Sequence, residues 1–448
     1  MLLELCGILK SIRYDALPEF TVEKAKITIL NYLGISLDAS SSPITKAERS
    51  VWEEAGGVGE CVIIGQSGGA SPLAAASVNA LMGQIYLLED CHEHTLSHPG
   101  VNAIPVALAL GQSRDAGGKK IIEAVVAAYE SMGRIGSVLI APGFPDYGLR
   151  PASALAPFGG VAAAAMVMGL DAGTMRDAFS IVGNTSSGVM EFVNSGAEDI
   201  CIQNCFAAKN SIMAAMLAEN GVAGSPAILD GMFGLGAALN RRELDWRPAV
   251  APHSGHYMID DSFVKRHPGC GHVLATAQAA ESLISRYKIE LDDIDKVIVG
   301  VSQRAMDFPG TDNPGPFNGA ISAMMSHQFM VASALVRGEV SVGTINDFGD
   351  PSIADVARKV SVEFDKQIDD AFPGKTGARL SVLLKNGEKF VDFQEDLIPM
   401  SKEDVVSRFM QSAERRLPAG RAGAIADIML NLESLRSVND LMPLLSCE

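Results

Sequence analysis

The chain has 448 residues, of which 48% are hydrophobic and 6% aromatic, and its formal net charge is −17. This length exceeds the usual size of one domain, so two or three domains are expected. The excess of 53 Asp and Glu over 36 Lys and Arg repels nucleic-acid backbones and anionic membranes. We therefore expect no nucleic acid and no membrane as partner, and a carboxylate ligand would need a local basic pocket.

The seven cysteines are scattered, odd in number and without a paired CxxC spacing. This pattern argues against a disulfide framework and a structural zinc site, and it favours a reducing compartment. The first residues lack a basic leader followed by a long apolar run, and no uninterrupted apolar stretch reaches the roughly 18 residues of a spanning helix. The sequence therefore predicts a cytoplasmic protein.

Helical periodicity dominates the chain from Thr21 to about Leu239, because apolar residues recur there at three and four positions. Gly, Pro and Asn separate the periodic stretches. The predicted helices span residues 22–33, 71–88, 118–133, 156–169 and 207–219. Together they predict a large all-helical domain.

The pattern changes after about Phe263. Residues 296–302 and 360–364 alternate like half-buried strands, and residues 379–392 contain an Asn-Gly pair typical of a hairpin turn. Helices are predicted at about 270–287, at 320–337 and again from Ser401, an N-cap residue. We predict a mainly α fold in which a smaller α+β domain, residues 265–395, is inserted between the two parts of the helical domain, residues 1–264 and 396–448.

Three of the eight histidines, His92, His94 and His98, lie within seven residues of each other. With Asp90 and Glu93 they supply metal-ligand types, but their spacing matches no HExxH-type helix. Two other interpretations are an acid-base loop and a hydrogen-bonded network that only caps the next helix. Because burying unused polar groups between two apolar helices is costly, the acid-base role without a metal is favoured.

The segment around these histidines resembles a family signature. Asp90-Cys-His-Glu and then residues 97–109, beginning Ser-His-Pro-Gly, are similar to the "DDTHE...THPG...IPAALA" pattern of MmgE/PrpD proteins. Further matching segments, in the family's order, are residues 150–159, 191–193, 265–268, 326–329 and 400–404. That family includes 2-methylcitrate dehydratase, cis-aconitate decarboxylase and iminodisuccinate epimerase. The likeness covers nearly the whole chain.

The resemblance implies a helical domain with a smaller lid domain, a homodimer, and cofactor-free chemistry beside a carboxylate. Its motifs place His98 and Lys265 in the cleft. Other positions depart from the decarboxylases and dehydratases: Arg150 stands in place of a histidine and Cys91 in place of a threonine. Leu87 stands where that pattern has an aspartate, and the lysine of the pattern falls near Ile200. Gln203 and Cys270 each stand in place of a histidine.

Several side chains are candidates for the chemistry itself. A partly buried Lys265 would have a lowered pKa and would place a positive charge against an enolate-like intermediate. Tyr147 is a candidate proton donor, and His267 and His272 are candidates for the second acid-base group beside His98. For each of them, ordinary packing or surface exposure is the competing interpretation.

A second group of side chains is predicted to bind the substrate. Arg150 can hold a carboxylate through two hydrogen bonds, and Asp90, Cys91 and His92 lie in the histidine segment. Cys91 and Cys270 would be nucleophiles only if neighbouring imidazoles deprotonated them, and small buried thiols are the commoner case.

Together these features predict a cofactor-independent enzyme that removes or adds a proton at a carbon adjacent to a carboxylate in a small di- or tricarboxylate. The reaction stays open among dehydration and decarboxylation, which are lyase reactions, and epimerisation, which is an isomerase reaction. The alternative is a catalytically silent family member that binds a metabolite or a protein partner. A metalloenzyme is the third hypothesis.

Overall fold

A computed structural model describes residues 1–140 and 148–447 of the chain. The α-helices among these residues are α1 (Leu2–Ser11), α2 (Glu19–Ala39), α3 (Pro43–Glu54), α4 (Pro72–Met82), α5 (Gly100–Ser113), α6 (Gly118–Leu139), α7 (Pro151–Met168), α8 (Ala172–Gly183), α9 (Phe192–Ser195), α10 (Asp199–Glu219), α11 (Leu235–Asn240), α12 (Leu274–Arg286), α13 (Gln303–Asp307), α14 (Ala320–Met325), α15 (His327–Arg337), α16 (Val342–Asn346), α17 (Pro351–Ala357), α18 (Lys366–Ala371), α19 (Lys402–Arg416) and α20 (Arg421–Leu430). The strands are β1 (Val58–Val62), β2 (Gly69–Ala70), β3 (Asp90–His92), β4 (Ser262–Val264), β5 (Ile294–Val301), β6 (Val360–Phe364), β7 (Ala378–Leu384) and β8 (Lys389–Gln394). The fold is mainly α, as the sequence predicted.

The alanine-rich helix α7 is the centre of the helical core. It packs against α5, α6 and α10, and small side chains let the helices approach closely. A Cβ atom on Gly160 of α7 would lie 2.3 Å from the Oγ atom of Ser211 on α10. By length and composition α7 could cross a membrane, but 94% of it is buried inside the protein. Its apolar character is therefore that of a core helix, and the cytoplasmic location stays a prediction.

The C-terminal helices return to the N-terminal part of the fold. Helix α19 packs against α2, where a Cβ atom on Gly34 would lie 3.2 Å from the Cα atom of Phe409. Ser401 caps α19, because its Oγ accepts a hydrogen bond from the amide of Asp404 at 3.1 Å. The predicted N-cap is confirmed. Asp404 completes a capping box, because its Oδ2 accepts a hydrogen bond from the amide of Ser401.

Between these helical parts lies a four-stranded sheet with the order β6-β5-β7-β8. Strands β5 and β6 are parallel, and the other neighbours are antiparallel. The predicted hairpin joins β7 to β8, with Gly387 at a φ of +89° in the turn. The single helix predicted over 320–337 breaks at Ser326, because this residue is extended and its Oγ caps α15 through the amide of Phe329.

The prediction of an all-helical first domain needs one correction. Two short strand pairs occur there, β1 with β2 and β3 with β4. The second pair joins Asp90 to Val264, so it connects the histidine segment to the residues just before Lys265. The domain boundaries at 265 and 395, and the role of that segment as a lid, stay predictions.

Candidate active site

A cavity of about 410 Å³ is bordered by the histidine segment, the start of α7, the turn before α12 and parts of the sheet-containing segment. Its polar and ionisable lining residues are Glu89, Glu93, His94, His98, Arg150, Lys265, His272, Arg304 and Thr376. Larger apolar side chains line the rest, namely Leu87, Leu96, Ile140, Met190, Phe192, Ile200, Phe308, Met325 and Phe372. Such a mixture of apolar walls with a few convergent charges is typical of a small-molecule site.

The strand pair β3–β4 positions the two ends of the charged cluster. Asp90 is paired with Val264, so Glu89 and Lys265 lie side by side just beyond this end of the strand pair. An isolated bridge between His92 and Ser97 closes a short loop, and His98 directly follows this bridge. The loop thus depends on contacts between segments more than 160 residues apart.

His98 lines the cavity and is held through its Nδ1 atom. Its Nδ1 atom lies 2.9 Å from the backbone carbonyl oxygen of Asp90 and 3.4 Å from Oε1 of Glu89. Burial and the nearby charges of Lys265 and Arg150 hold the pKa of His98 well below its usual value, so the ring is neutral near pH 7. With the proton on Nδ1 donated to the Asp90 carbonyl, Nε2 keeps its lone pair and can accept a proton.

Beside His98, Glu89 and Lys265 form a buried ion pair. The Lys265 Nζ atom lies 2.6 Å from Oε1 of Glu89, and both side chains are only 1% exposed. Gln84 also donates to Oε1 at 3.4 Å, whereas the second oxygen, Oε2, has no hydrogen-bond partner among the described residues. A buried carboxylate oxygen without a partner is costly, so the pair holds unused hydrogen-bonding capacity at the cavity.

Arg150 stands at the start of α7 and is 7% exposed. Its guanidinium donates to Oγ of Ser153 at 3.0 Å and to Oε1 of Gln84 at 3.3 Å. Burial lowers the pKa of Arg150, and the charge of Glu89 opposes that effect. A guanidinium stays protonated in proteins, so Arg150 presents a positive charge that neutral groups hold in place.

Asp90 lies behind the cavity and not on its wall. Its Oδ2 atom accepts hydrogen bonds from the hydroxyl of Tyr129 at 2.6 Å and from the amide of Gly100 at 3.2 Å. A Cβ atom at position 100 would lie 2.2 Å from Oδ1 of Asp90, which explains the glycine after His98-Pro99. Burial raises the pKa of Asp90 to about 6, although both hydrogen bonds lower it. From this position Asp90 stabilises the segment that contains His98.

Two further predicted histidines also lie off the cavity wall. The Nδ1 atom of His92 contacts Oγ1 of Thr95 at 2.7 Å, and the Nδ1 atom of His267 lies 3.3 Å from the carbonyl oxygen of Val340. Burial lowers the pKa of both imidazoles to about 4, so both are neutral. The structure therefore does not bring His92 or His267 to the cavity with His98.

His272, Cys91 and Cys270 do line the cavity. Burial lowers the pKa of His272 to about 3, and its ring lies 4.5 Å from the ring of Phe308. Burial raises the pKa of both thiols, so they are protonated and weakly nucleophilic. Tyr147 lies outside the described residues. Within the described ranges, no group of three or more His, Cys, Asp or Glu is placed to hold a metal ion.

Sequence reasoning missed two charged residues of the cavity, Glu89 and Arg304. Glu89 directly precedes the family-like segment and follows two apolar residues, so its acidic side chain in an apolar run was a usable signal. Arg304 is the second residue of α13, the helix after β5, and nothing in its local sequence distinguishes it from a surface arginine. Only the tertiary structure brings it to the cavity.

Comparisons with known proteins agree with this architecture. Residues 3–246 match the MmgE/PrpD N-terminal domain, and residues 267–434 match the MmgE/PrpD C-terminal domain. The chain belongs to the MmgE/PrpD family. Both matches together leave only short segments of the chain uncovered, and the cavity is bordered by residues of both.

Curated relatives from this MmgE/PrpD group carry a named activity. The chain is 23% identical to cis-aconitate decarboxylase of Aspergillus terreus, with 99% of this chain and 95% of the relative aligned. It is 25% identical to cis-aconitate decarboxylase of Homo sapiens and 24% identical to that of Mus musculus, each over 84% of this chain and 79% or 78% of the relative. The relatives are lyases by name, which supports an enzymatic activity in the family.

Of the six positions at or near which the resemblance implies a departure from the decarboxylase and dehydratase pattern, all except Gln203 line the same cavity. Leu87, Cys91, Arg150, Ile200 and Cys270 all line it. The resemblance thus implies that the cavity wall of this MmgE/PrpD protein differs from the pattern of those members, with His98 and Lys265 as the positions in common.

Proposed function

We propose that this protein is a cofactor-independent acid-base enzyme that abstracts a proton from a carbon adjacent to a carboxylate in a small polycarboxylate. The observation that carries the proposal is the neutral His98 ring, with Nδ1 against the Asp90 carbonyl, at a cavity that also contains Lys265 and Arg150. A base with a free Nε2 and two cations beside it fits the formation of a carbanion next to a carboxylate.

Charge stabilisation is the role of the two cations in this proposal. Abstraction of the proton places negative charge on the substrate carboxylate as an enediolate-like intermediate. Arg150 is held by Ser153 and Gln84, and Lys265 is held by Glu89, so both donors are oriented before the substrate arrives. Donors fixed in this way stabilise developing charge without reorganising during the reaction.

The step after proton abstraction determines whether the enzyme is a lyase or an isomerase. The relatives are named for decarboxylation of cis-aconitate, whereas a neutral His98 favours a reaction that begins with proton removal, as dehydration and epimerisation do. For the return of the proton, His272 is the candidate among the described residues that line the cavity. We propose a lyase or isomerase reaction that starts with proton abstraction by His98.

Proton NMR in deuterium oxide tests this proposal with 2-methylcitrate, cis-aconitate and iminodisuccinate as probes. Solvent deuterium that enters a carbon next to a carboxylate marks proton abstraction even without net turnover. His98→Ala is expected to slow this exchange by about 10²–10⁴-fold, the usual contribution of a positioned base. Retained exchange in that variant would show that another residue is the base.

A catalytically silent binding protein is the competing function, and the departures at Leu87 and Ile200 favour it. Both side chains put hydrocarbon where the decarboxylase and dehydratase pattern has charged groups, and both line the cavity. The same NMR experiment distinguishes the two functions. A silent protein would broaden or shift the ligand signals at stoichiometric protein without exchanging any proton.

We further propose that the protein is a homodimer. Helix α10 exposes a row of large apolar side chains, with Phe206 53% exposed and Met213 47% exposed. Met216 and Leu217 extend this row by another turn. Clustered apolar exposure of this kind marks protein interfaces. Light scattering after size exclusion tests it: Met213→Glu should yield monomers, and Leu3→Glu, which changes a 50% exposed leucine on α1, should not.

A further inference from the structure

The positively charged residues that line the cavity differ in whether an acidic side chain balances their charge. Three of its described lining residues are Arg or Lys: Arg150, Lys265 and Arg304. Lys265 is paired with Glu89 at 2.6 Å. Arg150 contacts only the neutral side chains of Ser153 and Gln84, and Arg304 forms no ion pair within the described part of the chain. Two positive charges therefore remain for a ligand.

We propose that the natural ligand of this cavity is a dicarboxylate with an apolar branch, held by Arg150 at one carboxylate and by Arg304 at the other. This inference rests on the proposed function, since it takes the cavity as the substrate site. It extends that function by naming the substrate class and a second anchoring residue that the sequence did not indicate.

Arg150 is the inner anchor in this arrangement. Only 7% of the residue is exposed, and a buried charge is unfavourable unless an opposite charge accompanies it. Its two hydrogen bonds, from Nη1 to Ser153 and from Nη2 to Gln84, fix the guanidinium but leave its charge without a direct counter-ion. A ligand carboxylate supplies the missing negative charge and matches the planar donors of arginine.

Arg304 is the outer anchor, from the sheet-containing segment. It lies on α13, directly after β5, and its guanidinium carbon is 5.7 Å from the centre of the Phe308 ring. The side chain is half-buried, and contact with an aromatic face restricts its rotamers. A ligand bound to both arginines would connect the two parts of the fold that border the cavity.

The remaining wall argues against a third carboxylate. Leu87, Met190, Phe192 and Ile200 are each less than a tenth exposed and line the cavity with hydrocarbon. A carboxylate placed against them would lose its hydration without gaining a hydrogen bond, which is strongly unfavourable. An alkyl branch in the same place would gain free energy by burial.

The acidic residues of the cavity agree with a limit of two carboxylates. Glu89 is buried beside Lys265 and balances its charge, so Lys265 offers no unbalanced positive charge to a third carboxylate. Glu93 is exposed at the rim, where its Oε1 accepts a hydrogen bond from Thr376 at 3.3 Å. A tricarboxylate would thus bring one more negative charge than the free cations can balance.

Three ligands with one carbon skeleton test the charge count by calorimetry. Tricarballylate has three carboxylates, 2-ethylsuccinate has an ethyl group in place of one carboxymethyl group, and 2-ethylbutanoate has ethyl groups in place of two. We expect 2-ethylsuccinate to bind at least about ten times more tightly than either of the others, a difference of about 1.4 kcal/mol. Tighter binding of tricarballylate or of 2-ethylbutanoate would overturn the inference.

The role of Arg304 is tested in the same series. Arg304→Gln should weaken 2-ethylsuccinate binding about tenfold and leave 2-ethylbutanoate binding unchanged. The control is Arg358→Gln, which removes an exposed arginine paired with Asp355 and should leave both affinities unchanged. An equal loss for both ligands in Arg304→Gln, or no loss, would show that Arg304 does not hold the second carboxylate.

Failure of this inference is distinguishable from failure of the proposed function. The affinity series reports only which ligand the cavity selects, whereas deuterium exchange reports proton abstraction. Exchange with cis-aconitate together with tightest binding of tricarballylate would keep the function and overturn the ligand class. Selective binding of 2-ethylsuccinate without exchange of any probe would keep the ligand class and contradict the enzymatic role.

Discussion

The two sides of the cavity are built on opposite principles. On the side of His98, Glu89 and Lys265, polar groups are buried in contact with one another, and each position depends on hydrogen bonds to its neighbours. On the side of Met190 and Ile200, the wall is hydrocarbon and makes no directed interactions. In the proposed function the polar side would carry proton transfer, and the apolar side would recognise the branch of the ligand by shape.

Removal of the base is the change with the largest expected effect on the polar side. His98→Asn keeps a side chain that can donate to the Asp90 carbonyl but cannot accept a proton as imidazole does. We expect deuterium exchange to fall by about 10³-fold with little change in thermal unfolding. The control is His256→Asn, since this exposed imidazole pairs with Asp261 away from the cavity. A loss in the control as large as that in His98→Asn would point to an indirect cause.

The ion pair gives the next largest effect, this time on stability. Glu89→Gln leaves a buried lysine without its counter-ion, and Lys265→Met leaves a buried carboxylate. Each is expected to lower the free energy of unfolding by about 3–5 kcal/mol, because an unpaired buried charge is strongly destabilising. The double variant should recover much of that loss. Urea unfolding of all four proteins measures the coupling, and strictly additive losses would contradict a direct pair.

Behind the polar side, Asp90 should make stability depend on pH. Its pKa in the folded chain is about 6, above the value of 3.8 for an unburied aspartate, so the folded state binds the proton more tightly. Its contribution to stability is therefore complete below about pH 4 and is lost as the pH rises through 6. Relative to Asp90→Asn, the wild-type protein should lose on the order of 2–3 kcal/mol across this range.

Urea unfolding at pH 4, 5, 6 and 7 measures this difference between the two proteins. Parallel stability profiles for wild type and Asp90→Asn would contradict the raised pKa. Tyr129→Phe sharpens the result, because Tyr129 donates to Oδ2 of Asp90 and holds its pKa down. Loss of that hydrogen bond should shift the fall in stability to higher pH.

The smallest expected effect comes from the apolar side. Ile200→Lys places a cation on the hydrocarbon wall, near the position where the decarboxylase and dehydratase pattern has a lysine. Binding of tricarballylate relative to 2-ethylsuccinate should improve by about tenfold, or about 1.4 kcal/mol. Leu3→Lys, on the exposed face of α1, should leave this ratio unchanged. An unchanged ratio in Ile200→Lys would show that Ile200 does not face the third branch.

Much of the fold was predictable because its signals are local. The strand over 360–364 and the hairpin turn at Gly387 follow from alternation and from the Asn-Gly pair. The break at Ser326 was missed, because a serine within an apolar helix is compatible with either a continuous helix or a cap, and tertiary packing selected the cap.

The candidate site was less predictable, because its residues meet only through tertiary contacts. The histidine cluster and the family pattern indicated His98, the family pattern indicated Lys265, and the structure places both on the cavity wall. Glu89 was missed because its partner, Lys265, is 176 residues away in the chain. Arg304 was missed because nothing in its own segment indicates that it lines the cavity. His267 is three residues from the Val264 end of β4, yet its ring contacts Val340 instead of the cavity.

The pairing of β3 with β4 has a consequence for how the site comes into being. Glu89 and Lys265 are separated by 176 positions in the chain, and their contact needs the ladder between residues 90–92 and 262–264. The segment that matches the N-terminal family domain ends at residue 246, before β4 begins. When only that segment has left the ribosome, Glu89 has no Lys265 to pair with, and β3 has no β4 beside it. The pair of Glu89 with Lys265 therefore cannot form until residues 262–265 have left the ribosome.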